Sequence, residues 1–109
     1  MAFSRKLALE ARANVDDGAG GSAGDWQVLG VHWAEMRQRS GRLETGLGGG
    51  VSRATYNVRV RAVGPEQPSR PRPGQRFRDG VRVYLIRSVT DARDGAPYLD
   101  CLTDEEVLP

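Results

Sequence analysis

Lysine, cysteine and histidine are almost missing from this chain: Lys6, Cys101 and His32 are one of each in 109 residues. A single cysteine makes no internal disulfide, and with a single histidine it makes no zinc constellation. Long apolar runs are missing too; nothing approaches the roughly 18 consecutive residues of a membrane-spanning helix, so no membrane partner is expected. The opening Met1-Ala2-Phe3-Ser4-Arg5-Lys6 has a basic pair but no apolar stretch behind it, and is not read as a secretory signal. The compartment is therefore taken as cytoplasmic. At 109 residues a single domain with one modest core is expected.

What is present is arginine, at fifteen positions, and glycine, at fourteen. The formal charge is +2, but it is unevenly spread. Residues 1–35 carry a net −2, residues 36–90 a net +9, and residues 91–109 a net −5. A basic middle and an acidic end suit an anionic partner, and equally suit head-to-tail pairing of identical subunits.

The hydrophobic pattern is that of strands. From Lys6 to Val15, Leu7, Leu9, Ala11, Ala13 and Val15 alternate with polar residues, a period of two with one buried face. Residues 16–25 are turn chemistry. A second strand runs from Trp26 to Arg39 with a change of parity at Gly30, where a bulge is expected. Ser40 to Ser52, with five glycines in thirteen positions, reads as a long loop, where glycine also argues against a short helix. Tyr56, Val58, Val60 and Ala62 then alternate with Thr55, Asn57, Arg59 and Arg61. Residues 64–74 are proline-rich and expected to be stiff and extended. Asp79-Gly80 between alternating residues signals a two-residue hairpin turn. Strands at 75–78, 81–90 and 98–103 follow, then an acidic tail at 104–109. Six antiparallel strands in so short a chain normally close into a small β-barrel. The expected fold is an all-β, six-stranded antiparallel barrel with its core on Trp33, Tyr56, Val58, Val60, Val83 and Leu85.

Catalytic chemistry finds little support. Cys101 and His32 both sit in strand patterns without an orienting third group, and the paired carboxylates Asp16-Asp17 and Glu105-Glu106 fall on a turn and a tail. Gly48-Gly49-Gly50 lacks the Gly-Lys-Ser/Thr of a phosphate loop. The chain is read as no enzyme, with no metal site and no cofactor. Arginines flanking the glycine loop and continuing to Arg82 leave room for sequence-independent nucleic-acid binding by a small barrel, which is the alternative function.

The stretch Val31-His32-Trp33-Ala34-Glu35-Met36-Arg37-Gln38-Arg39-Ser40-Gly41-Arg42 resembles the phage head–tail joining proteins, the head-closure or stopper subunits. The order of other features agrees. A glycine-rich turn from Asp17 precedes Trp26, Tyr56 to Arg61 follows the loop, Gln75 to Ile86 holds a Tyr-containing hairpin, and Leu99-Asp100-Cys101-Leu102 closes the match. The resemblance spans about residues 5 to 106, and its arginine, glycine and alanine content is similar to the version carried by gene transfer agents or prophages of GC-rich bacteria. It implies a β-barrel subunit of a homo-oligomeric ring, six or twelve copies, in the neck of a phage-like particle assembled in the bacterial cytoplasm. An adaptor protein would lie above it, a tail terminator or tail tube below, and packaged double-stranded DNA in the channel without sequence recognition. The loop between strands two and three would point to the channel. Carried over, the channel and DNA-proximal residues are Arg39, Ser40, Gly41, Arg42, Gly46, Gly48, Gly49, Gly50 and Arg53. Where the family has Glu directly after Ser-Gly-Arg, this chain has Leu43, with Glu44 following.

Overall fold

In the computed structural model the described residues are 3–13, 25–46 and 49–108, and the side chains of 40–53 lie outside them. Six strands occur among these residues: β1 (Arg5–Arg12), β2 (Trp26–Gly46), β3 (Gly49–Arg61), β4 (Arg76–Asp79), β5 (Arg82–Asp91) and β6 (Tyr98–Val107). Every pair is antiparallel, and the order β1-β2-β3-β6-β5-β4 closes on itself. The closing seam is short: Ala8 opposite Arg78, Leu9 opposite Phe77 and Glu10 opposite Arg76. Closure leaves no edge along the seam, the usual answer of a small sheet to exposed ladder groups.

The core follows strand parity. Leu7 and Leu9 of β1, Val58 and Val60 of β3, and Leu99 and Cys101 of β6 are fully buried in one cluster with Ala34, Phe77, Tyr84 and Ile86. Tyr56 packs against this cluster and meets Tyr84 edge-on at 5.5 Å. Thr103 is fully buried as well, its hydroxyl donating to the Tyr56 carbonyl at 3.1 Å.

Two of the expected core residues are placed differently. Trp33 is 57% exposed. The β1–β2 register slips where Leu9 faces Gly30 but Glu10 faces Val28, so Leu29 is the extra residue of a bulge. Beyond it His32 and Ala34 turn inward, and Trp33 turns out. Leu85 is only half-buried, because β5 is apolar on both faces and the pairing of Phe77 with Tyr84 sends Tyr84 and Ile86 into the core. Val83 is fully buried but outside the central cluster.

Of the segment 40–52, read from sequence as a loop, residues 40–46 and 49–52 continue the β2–β3 ladder. Ser40 lies opposite Thr55, Gly41 opposite Ala54, Arg42 opposite Arg53, and pairing runs to Gly46 opposite Gly49. Backbone hydrogen bonds need partners whatever the side chains, so two neighbouring chain segments can pair without any apolar alternation. The register slips once, between Gln38 and Ser40, which makes Arg39 a bulge residue.

The proline-rich connection is a chain of turns, not an extended segment. Gln67 N–H donates to Gly64 O at 3.0 Å, Arg70 N–H to Gln67 O at 3.1 Å, and Gln75 N–H to Arg72 O at 3.1 Å. Pro65, Pro68 and Pro73 each occupy the second position of such a turn, where a fixed φ is an advantage. Gly74 follows Pro73 with φ of 90°, the left-handed third position of a type II turn. The connection is held against β2: His32 Nε2–H donates to Ser69 O at 2.7 Å, and a Cβ on Gly30 would meet the Ser69 Cβ at 3.0 Å. The β4–β5 turn is Gly80-Val81, one residue later than expected, since Asp79 already pairs with Arg82. The last strand extends through the acidic residues to Val107, where Arg87 donates to Asp104 and Arg82 to Glu105, both at 3.0 Å.

Candidate interface

Among the clefts that the described residues form on the outer wall of the barrel, two differ sharply in character. The first, about 550 Å³, is polar and holds Arg37, Arg39, Arg59 and Arg93 against Asp91 and Asp100. Alternation explains its floor: Asn57 and Arg59 are the outward residues of β3, and Asp100 lies opposite Arg59 on β6. Arg59 grips Asp100 with two bonds, Nε–H to Oδ1 at 2.7 Å and an Nη2 donor to Oδ2 at 2.9 Å. Asn57 adds a third bond at 3.1 Å. The Arg59 guanidinium holds the Asp100 carboxyl below the usual carboxylate range, with Asn57 adding to the effect against the cost of burial. The bulge delivers Arg39 to the rim of this cleft, and bulges commonly re-aim a side chain in this way. The remaining arginines present cations to any anionic partner.

The second cleft, about 430 Å³, is largely apolar. Phe3, Val31, Trp33, Ala62, Val63 and Tyr98 line it, with His32, Ser69 and Arg61. Phe3 and Tyr98 stack at 5.0 Å between centroids. His32 beneath it is buried, edge-on to Phe77 at 6.0 Å, and burial lowers its pKa. That histidine fastens the proline turns to the barrel.

Of the channel residues expected from sequence, Arg39 is the one whose side chain is described, and it is exposed. The backbone places Ser40, Gly41, Arg42 and Gly46 on β2 and Gly49, Gly50 and Arg53 on β3, all in one ribbon. Gly48 lies outside the described residues. Beyond Arg5 opposite Ala34 and Thr55 opposite Asp104, neither β1 nor β6 accompanies this ribbon, so it projects from the barrel as two strands. Sequence reasoning missed the apolar cleft because it assigned Trp33 inward; the change of parity at Gly30 was the available signal. Cys101 is buried in the core, which pushes its thiol up to about 12, so it is no ready nucleophile. Among the described residues no group of three His, Cys, Asp or Glu side chains could hold a metal ion.

Comparison with known proteins bears on what these surfaces serve. The family model described as phage head completion protein matches residues 2–106. The chain belongs to that family. A solved structure described as the virion of a native gene transfer agent particle contains a chain 40% identical to this one, covering 97% of this chain and 96% of that one, with a TM-score of 0.82. A search of curated proteins returns no match. A head completion protein is a structural component of a phage-type virion, and a structural role in completing the head is what membership assigns to this barrel.

Proposed function

We propose that this head completion protein is the head-closure, or stopper, subunit of the connector. It forms a ring of six or twelve copies between an adaptor above and a tail terminator or tail tube below, and helps to retain the packaged double-stranded DNA. No catalysis belongs to this reading.

The observation that carries it is the β2–β3 ribbon. Two-stranded ribbons are marginal in water by themselves. Their register here sets Arg42 opposite Arg53, and like charges directly opposed are destabilising. Such an arm gains most from a polyanion or from neighbouring arms, both of which a DNA-filled channel supplies. The glycines at 46, 49 and 50 remove side-chain bulk near the tip, where several copies would converge. Arg39 at the bulge, Arg42 and Arg53 are assigned to the DNA or the channel, where phosphate contacts carry no sequence information.

Cryo-electron microscopy of particles from the producing strain tests the assignment. A ring of these barrels between adaptor and tail, with residues 40–53 toward the axis, is the expected result. An intact connector lacking this chain would overturn it and favour a free barrel that binds nucleic acid. The residue assignment is tested apart: Arg39→Glu, Arg42→Glu and Arg53→Glu should yield particles that lose DNA, and unchanged retention in all three would refute it.

A further inference from the structure

The polar and apolar clefts are neighbouring parts of one wall. Beyond the bulge at Leu29, Trp33, Glu35 and Arg37 are successive outward residues of β2, and the register sets Glu35 opposite Arg59 and Arg37 opposite Asn57. Across β3, Arg61 lies opposite Tyr98 and Arg59 opposite Asp100. The apolar cleft therefore gives way to the polar one along the row of Glu35, Arg59 and Asp100. From Trp33 to Arg37 is about 13 Å at the rise of a strand.

The barrel itself leaves both halves unfilled. Trp33 keeps 57% of its surface in water beside the apolar cleft. Arg39, Arg61 and Arg93, with Lys6 across from Trp33, are exposed and make no ion pair among the described residues. Arg37 reaches Glu35 only at 3.9 Å. With Arg59 these make six cations, against the carboxylates of Glu35, Asp91, Asp94 and Asp100. Exposed tryptophan, tyrosine and arginine are the side chains that anchor contacts between proteins.

We propose that this wall is a docking groove for an extended acidic segment of another protein. A bulky apolar side chain of that segment enters the cleft beside Trp33, and its carboxylates lie on Arg37, Arg39 and Arg93. One occupant then serves both halves, and the excess of cations selects its charge. A single-stranded nucleic acid also combines flat apolar groups with anions, but its phosphates would meet Glu35 and Asp91 with no donor to offer. A peptide backbone brings an N–H at every residue but proline. A second copy of this chain is a poor source of the segment, because its acidic run 104–106 is already tied through Asp104 to Arg87 and through Glu105 to Arg82. Arg39 apart, these residues are not the ones assigned to DNA, and the groove needs no ring.

The probe for the pure chain is a fluorescein-labelled nonapeptide of serine, with a central phenylalanine and glutamates two and four positions to either side, so that either chain direction serves. Anisotropy should show saturable binding that is lost when the phenylalanine becomes serine or the glutamates become glutamine. Trp33→Ala removes an exposed side chain and should weaken binding roughly thirtyfold, the size of a hot-spot truncation. Arg37→Glu combined with Arg93→Glu should weaken it roughly tenfold at low salt and little at 1 M salt. No binding at millimolar peptide, binding that Trp33→Ala leaves unchanged, or tighter binding of oligothymidine at the same residues would overturn the proposal. In purified particles, p-benzoylphenylalanine in place of Val31, which lines the apolar cleft, should photocross-link to an acidic segment of a different virion protein. Cross-links to this same chain or to DNA, or none from incorporated protein, would also overturn it. A chain absent from particles would instead sink the connector reading, and the peptide result would then decide the groove by itself.

Discussion

Glu10 is an outward residue of β1, yet it is buried, and Arg76 from the closing strand is what makes that tolerable. Arg76 Nε–H donates to Glu10 Oε1 at 2.8 Å, and its guanidinium lies over the Trp26 ring at 4.0 Å. Removing Arg76 leaves the buried Glu10 carboxylate only the more exposed Arg78, at 3.9 Å, and weakening a buried pair in this way costs about 3 kcal/mol. Arg76→Met should lower stability by that amount in urea unfolding, whereas Glu10→Leu combined with Arg76→Met should return close to the parent. Nothing in the sequence marked this pair: a glutamate on the polar side of an alternating strand reads as solvated, and its partner is 66 positions away. A second carboxylate governs the acid limb. Asp100 has its folded pKa lowered chiefly by Arg59. Its contribution to stability is complete above the ordinary Asp value of about 3.9, and is lost as pH falls from there through the lowered folded value. Unfolding followed from pH 5 downward should show this decline, and Asp100→Asn should flatten it.

Strand elements were legible where alternation was clean. Leu7 and Leu9, then Val58 and Val60, turn inward as their period requires. Parity failed at Trp33 because a single bulge residue, Leu29, reverses every later side chain; the pattern signalled the slip near Gly30 but not which face of β2 beyond it turns inward. It failed at Leu85 because Val83, Tyr84, Leu85 and Ile86 are all apolar. The arm from Gly41 to Ala54 was illegible as strand for a different reason: beyond Thr55 opposite Asp104 its ladder is paired only within itself, and its composition carries no apolar period. The same independence makes it removable. Excising 41–54 and joining Ser40 to Thr55 through Asn-Gly should change barrel stability by less than about 1 kcal/mol, since shortening a loop alters its closure entropy only slowly. Thermal unfolding checks that value, and the shortened chain should fail to complete DNA-retaining particles.

For the whole molecule, the charge asymmetry visible in sequence is partly spent inside the chain. Asp104 and Glu105, read as a tail for a neighbour, are tied to Arg87 and Arg82 of the same barrel. Head-to-tail attraction therefore falls to fewer groups than the net charges of the segments suggest. The barrel and the count of its strands followed from alternation and turn spacing, and the family resemblance from the ordered set of motifs. The exposure of Trp33, Val81 and Val107 did not, because it exists only after the bulge turns Trp33 out and folding brings the ends of β4, β5 and β6 together.

Closure by so short a seam also orders events in time. Ala8, Leu9 and Glu10 meet Arg78, Phe77 and Arg76 across almost seventy intervening residues, the most distant strand pairing in the barrel. Contacts of such sequence separation incur their loop entropy before they return any stabilisation, and tend to form late. A substitution confined to the seam then acts on the unfolding barrier: Arg76→Met should speed unfolding on the order of a hundredfold while refolding stays near the parent rate, a split that stopped-flow chevrons resolve. The barrel would open where its two most remote strands join, and its lifetime, more than its rate of formation, would depend on three residue pairs.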